Sequence, residues 1–213
     1  MPVGQPVDVL AVFRGADYTT ADLEAAALLW LSFLRDATPA NEPAFVARRA
    51  ADEFGGEVRR ALRGDVSLSR WQLRTARDVA DLHLAAAYRG AGEELDAAAE
   101  LVNAPPWQAH LRYVLGRLNR FAAQMAAGQV VEPEGAARRA GLYAESAIPP
   151  YWQGATALAV ARGLTEARRI LGVAEHCAGC VREAGRDWHP IPTLAPIGSQ
   201  ECGQSCKCRV IFR

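Results

Sequence analysis

Five cysteines are the residues here best suited to chemistry, and all five fall in the last 37 of 213 positions: Cys177, Cys180, Cys202, Cys206 and Cys208. Their spacing is C-x2-C, then 21 residues, then C-x3-C-x-C. Two thiolates two residues apart can sit on one side of a tight knuckle. A second pair from a distant loop completes a tetrahedral sulfur site, with zinc–sulfur bonds of about 2.3 Å. Zinc suits soft thiolates in a reducing compartment, and the ion closes a loop that packing alone would not. The pattern resembles the zinc-ribbon spacing without matching it. Cys177 and Cys180 are the first two ligands; the others come from Cys202, Cys206 and Cys208, with His176 or His189 able to replace one, although His176 beside Cys177 is expected to point elsewhere. An odd count and a start without a signal-like run weigh against stable disulfides. Free thiols and an iron–sulfur cluster remain open. Thiolates outnumber four positions, whereas catalytic zinc keeps an open position among histidines and carboxylates. The expectation is therefore a closed, structural zinc site.

The other reactive side chains have weaker claims. His83 and His110 sit singly in helical stretches with no serine or cysteine motif beside them. The sequence has no G-x-G-x-x-G after a strand, no Walker A motif and no H-E-x-x-H. Four arginine pairs, Arg48-Arg49, Arg59-Arg60, Arg138-Arg139 and Arg168-Arg169, are more simply solvated helix faces than phosphate contacts. Lys+Arg and Asp+Glu are equal at 24 each, and an electrostatic nucleic-acid binder usually shows a basic excess. Trp152 and Trp188 are candidate interface anchors, although tryptophan in a helical protein is usually core.

The elements that position the cysteines are mostly helical. Half the residues are hydrophobic and 23% are charged, which allows a sizeable core. Thr19 to Asp22 supplies a cap for a helix over about 20–36, its stripe carried by Leu23, Ala27, Trp30, Leu31 and Leu34. A second helix covers 43–62, with Gly55-Gly56 weakening its middle. Ser67 opens the clearest stripe: Leu68, Trp71, Thr75, Val79, Leu82 and Ala86. Helices follow over 93–101, from Trp107 to Gly128, over 133–147, from Tyr151 to about Arg162 after a break at Pro149-Pro150, and over 165–173. The start is read as an extended arm, 1–18, with a short strand near Val7–Phe13. Beyond Cys180, Pro190, Pro192, Pro196 and Gly198 exclude a long helix, and the segment has too few large apolar residues for a core of its own. The expected organisation is mainly α: a multi-helix, bundle-like body over 19–173 and a small irregular, metal-stapled segment over 174–213. The longest apolar run, Ala25 to Leu34, is half the length of a membrane span, so a soluble protein without targeting segment is expected.

Several blocks together resemble the minor head proteins encoded beside the portal in tailed bacteriophages, related to the Mu F-like head-morphogenesis group. They are Gly64-Asp65-Val66-Ser67-Leu68-Ser69-Arg70-Trp71-Gln72, Arg120-Phe121-Ala122 with Gly128, and Arg139 to Ser146. The closing block runs Ala174-Glu175-His176-Cys177-Ala178-Gly179-Cys180, then Leu194, Pro196, Gly198 and Cys202 to Arg209. The resemblance covers residues 57–213, and its specific part is the closing cysteine block, where the family type also pairs C-x2-C with a terminal C-x-C. Pro149-Pro150 and the additional thiol Cys202 depart from that type, and residues 1–56 have no counterpart in it. The resemblance implies a non-enzymatic, low-copy virion component at the head interior or portal vertex. It would act in assembly, packaging or genome delivery, with portal or major capsid protein as partner and packaged DNA as a further contact. No membrane and no small-molecule substrate are implied. The alternative is a zinc-stabilised helical module binding DNA or protein in the cytoplasm.

Overall fold

A computed structural model describes residues 5–13, 18–33 and 42–213. It is mainly helical, with a small three-stranded sheet and the clustered cysteines at the C-terminal end. The helices are α1 (Val9–Val12), α2 (Thr20–Phe33), α3 (Glu42–Arg63), α4 (Leu68–Gly90), α5 (Leu95–Asn103), α6 (Pro105–Ala126), α7 (Pro133–Glu145) and α8 (Ile148–Ala161). A short α9 (Ala178–Ala184) follows β1 (Glu166–Ile170), and β2 (His189–Pro190) and β3 (Arg209–Phe212) complete the sheet.

The stripe read from Ser67 onward is the spine of the body. Ser67 caps α4 by accepting the Arg70 N–H, and Leu68, Trp71, Val79 and Leu82 are fully buried below it. Trp107, Leu111, Val114, Leu118 and Phe121 of α6 enter the same core, with Phe121 edge-on to Trp71 at 5.8 Å between ring centres. The Gly55-Gly56 pair does not interrupt α3. Gly55 lies against α7, where a Cβ would come 3.3 Å from Ala137 Cβ, so the glycine lets the two helices approach closely.

Three expectations are corrected. Val7–Phe13 is not a strand: Asp8 accepts the Leu10 N–H and starts the single helical turn α1, with Val9 buried. The flanking backbone is satisfied by side chains instead of a sheet, since Val7 N–H donates to Gln72 Oε1 and Val9 N–H to Asn119 Oδ1. Pro149-Pro150 does not break the helix before Tyr151; both prolines occupy the first turn of α8, where a missing N–H removes no helical bond. The stretch 165–173 is not a helix, because Glu166–Ile170 forms the central strand. The end of the helix expected to reach residue 36 lies outside the described residues.

The sheet order is β2-β1-β3, both pairings antiparallel, with Ala167 opposite His189 on one side and Arg169 opposite Val210 on the other. Alternation along β1 turns Ala167 and Arg169 inward and leaves the rest half-buried. The small core beneath is shared: Ile148 and Ala159 of α8 pack with Ala167, Ile191, Ile197, Val210, Cys180, Cys206 and Cys208. Among the described residues, no helix is long and apolar enough to cross a membrane.

Candidate metal centre

All five cysteines converge at this shared core, each reduced and none bonded to another. Cys177 caps α9, its sulfur accepting the Cys180 N–H at 3.4 Å, and Cys180 sits one turn into the helix. Cys202 starts the short 3-10 turn Gly203–Ser205, Cys206 ends it, and Cys208 directly precedes β3. The Cys180 sulfur lies 3.5 Å from that of Cys202 and 3.6 Å from that of Cys206. Sulfurs around a tetrahedral zinc stand about 3.8 Å apart for bonds of about 2.3 Å, so these separations fit a shared ion. Two sets of three sulfurs, Cys177–Cys180–Cys202 and Cys180–Cys206–Cys208, each lie within 4.8 Å of one another, and either could hold a metal ion.

Local backbone brings the knuckle together. The Gly179 N–H donates to Glu201 Oε2 at 3.0 Å, tying α9 to the loop that carries Cys202. A Cβ at Gly179 would meet the Gln200 and Glu201 side chains, so glycine permits that approach. The tail is also held to the body, with Ser205 Oγ donating to Glu145 Oε2 at 2.8 Å and Lys207 Nζ lying 3.2 Å from Glu145 Oε1.

Burial and a buried cation act on the sulfurs in opposite directions. Arg169 is 1% exposed, and its guanidinium donates to Cys180 Sγ at 3.5 Å and to the Ala195 carbonyl, with no carboxylate partner among the described residues. A buried cation without an opposing charge is strongly destabilising, and thiolate is the anion at hand. In the ion-free protein burial pushes the Cys180, Cys202 and Cys208 thiols above their ordinary range, while the Cys180 N–H lowers Cys177. A bound cation reverses that penalty, because a coordinating thiol is deprotonated outright.

His176 joins the cluster; its Nδ1 lies 3.7 Å from Cys208 Sγ and its Nε2 2.7 Å from the Gly172 carbonyl. His189 does not, and pairs instead with Thr193 Oγ1 at 2.9 Å. The functional residue that sequence reasoning missed is Arg169, read there as half of a solvated pair. Its signal was the two-residue alternation with Ala167.

Most of the remaining candidates have structural partners. Arg59 pairs with Glu134, Arg60 with Glu57 and Arg168 with Asp187, and Arg139 lies over the Phe121 ring at 4.3 Å. Arg48 and Arg49 are exposed. Trp152 packs on the shared core, and Arg213 stacks over Trp188 at 4.4 Å. His83 and His110 meet with ring centres 5.4 Å apart. His83 Nδ1 donates to the Val79 carbonyl at 2.6 Å, and its Nε2 faces Ser146 Oγ at 3.1 Å. Both histidines are driven toward the neutral form by burial, His83 to about 3.

No family model matches the chain, and neither a curated protein nor a solved structure matches it.

Proposed function

We propose that this chain is a non-enzymatic structural component of a tailed-phage virion, a minor head or portal-vertex protein, with a zinc ion fastening its C-terminal segment. The observation that carries this reading is the convergence of Cys177, Cys180, Cys202, Cys206 and Cys208 in two overlapping sets, with the buried Arg169 against Cys180. That cluster is built from the same block of sequence that resembles the phage proteins. Zinc is the ion favoured by an all-sulfur set with tetrahedral spacing.

The physical role follows from the size of the tail. Strands of five, two and four residues cannot hold a sheet by themselves, and the core below them is small. An ion gripped by ligands from α9 and from the loop before β3 would close that segment against α8. The helical body then presents rigid faces to portal or capsid subunits, and packaged DNA is a further contact.

Sedimentation of heads from cells producing this chain tests the proposal. The chain should travel with heads at low copy, and particle imaging should place it at the portal vertex or interior. A chain that stays free of heads overturns the reading. DNA binding that falls steeply with salt and occurs without heads would replace it with a cytoplasmic DNA-binding module.

A further inference from the structure

The sulfur cluster holds more donors than one ion can use. A single tetrahedral ion takes four ligands, yet five sulfurs gather here in two sets of three that share Cys180, and His176 Nδ1 lies 3.7 Å from Cys208 Sγ. The two sets of three sulfurs are not separate sites, because Cys180 belongs to both. Cys206 belongs to the second set, and its sulfur and that of Cys180 form an edge 3.6 Å long.

We propose that this edge is shared by two divalent ions of the zinc class. Cys177, Cys180, Cys202 and Cys206 would hold one, and Cys180, Cys206, Cys208 and His176 the other. The inference rests on the metal reading above and extends it from one ion to two.

Three observations support it. The first is ligand number: two four-coordinate ions need eight positions, and six donors fill eight when two of them bridge. The second is the state of His176. A carbonyl can only accept, so the 2.7 Å contact with Gly172 puts a proton on Nε2, and the other ring nitrogen, Nδ1, faces Cys208. A second ring nitrogen donating to a backbone carbonyl is the usual support of a histidine ligand. The third is charge. One ion with four thiolates and the Arg169 guanidinium would leave a net negative charge in the core, along with an idle buried thiol. Two divalent ions and Arg169 balance five thiolates.

Elemental analysis and native mass spectrometry of the full chain, loaded with zinc alone, decide the matter. Two ions per chain is the expected result. One ion per chain overturns the shared edge and leaves a single-ion staple standing; none overturns both. Cadmium-113 loading should give two resonances that split each other through the bridging sulfurs, and a single or unsplit signal counts against the pair. The double variant His176→Ala with Cys208→Ser should fall from two ions to one. Retention of two would remove these residues from the ligand set.

Discussion

Arg169 shows how much one side chain can depend on the cluster beside it. Its side chain is fully buried, with the guanidinium donating to Cys180 Sγ. Arg169→Met keeps much of the volume and removes the cation, so the thiolates lose their compensation. Zinc transfer to a competing chelator should then be about 10–100-fold more favourable, the range typical of residues supporting a metal ligand. Unchanged transfer would mean that the guanidinium serves packing alone. The cysteines were legible in the sequence because spacing is a local signal; Arg169 was not, since only the strand register reveals that it points inward. A second side chain can be isolated by pH. His83 has a folded pKa of about 3 against 6.5 in an unfolded chain, lowered by burial and then by the nearby His110. Below pH 6.5 the unfolded state takes up a proton that the folded state refuses, so His83 removes stability as acid is added, by about 1.4 kcal/mol per pH unit. Asp78 works in the opposite direction, its carboxyl raised to about 6 by burial, so the total pH profile mixes both. The difference between wild type and His83→Gln separates them. Urea titrations should show the variant gaining about 2–3 kcal/mol relative to wild type between pH 7.5 and 4.5.

Helix α8 crosses α4 at a pair of glycines, and the contact explains why α8 lies where it can support the tail. A Cβ on Gly90 would overlap the Tyr151 carbonyl, and one on Gly154 would overlap the Ala87 carbonyl. Gly154→Ala should therefore destabilise by about 1–3 kcal/mol through overpacking, read from the urea midpoint. Gly56 is the control. It lies inside α3 with nothing within 4 Å of its Cβ position, so Gly56→Ala should stabilise by about 0.4–1 kcal/mol. If both substitutions behaved alike, helix propensity rather than the crossing would set the outcome. Long stripes such as that of α4 were legible because burial repeats along a single face. The central strand was not: Thr165–Val173 contains good helix formers, and the inward position that should have marked a strand holds a charge. Pairing with β3, forty residues later in the chain, overrides that local preference. The prolines of α8 misled for a related reason, since a break and a first turn look alike until the turn before them is known.

At the scale of the molecule, two cores of unequal size meet along α8. The larger is lined by α1 to α7 and contains no cysteine, whereas the smaller includes Cys180, Cys206 and Cys208 among its buried members. Composition and periodicity revealed the first, but the second depends on contacts between α8, β1 and the tail that no local pattern encodes. The unequal cores predict unequal responses to metal removal. The helical core keeps its apolar burial when the ion leaves, while the sheet loses the crosslinks that close its loops. Backbone amides over 166–213 should then exchange at rates approaching an unstructured chain, with those of α4 and α6 still protected. Far-UV circular dichroism should retain most of its helical signal, because the tail contributes only the seven residues of α9. Hydrogen exchange with and without a strong chelator reads both halves in one experiment. Loss of protection throughout the chain would show a single cooperative unit in which the ion supports the body as well. Unchanged protection in the tail would show that packing against Ile148 and Ala159 suffices, and that the sulfurs gather without fastening anything.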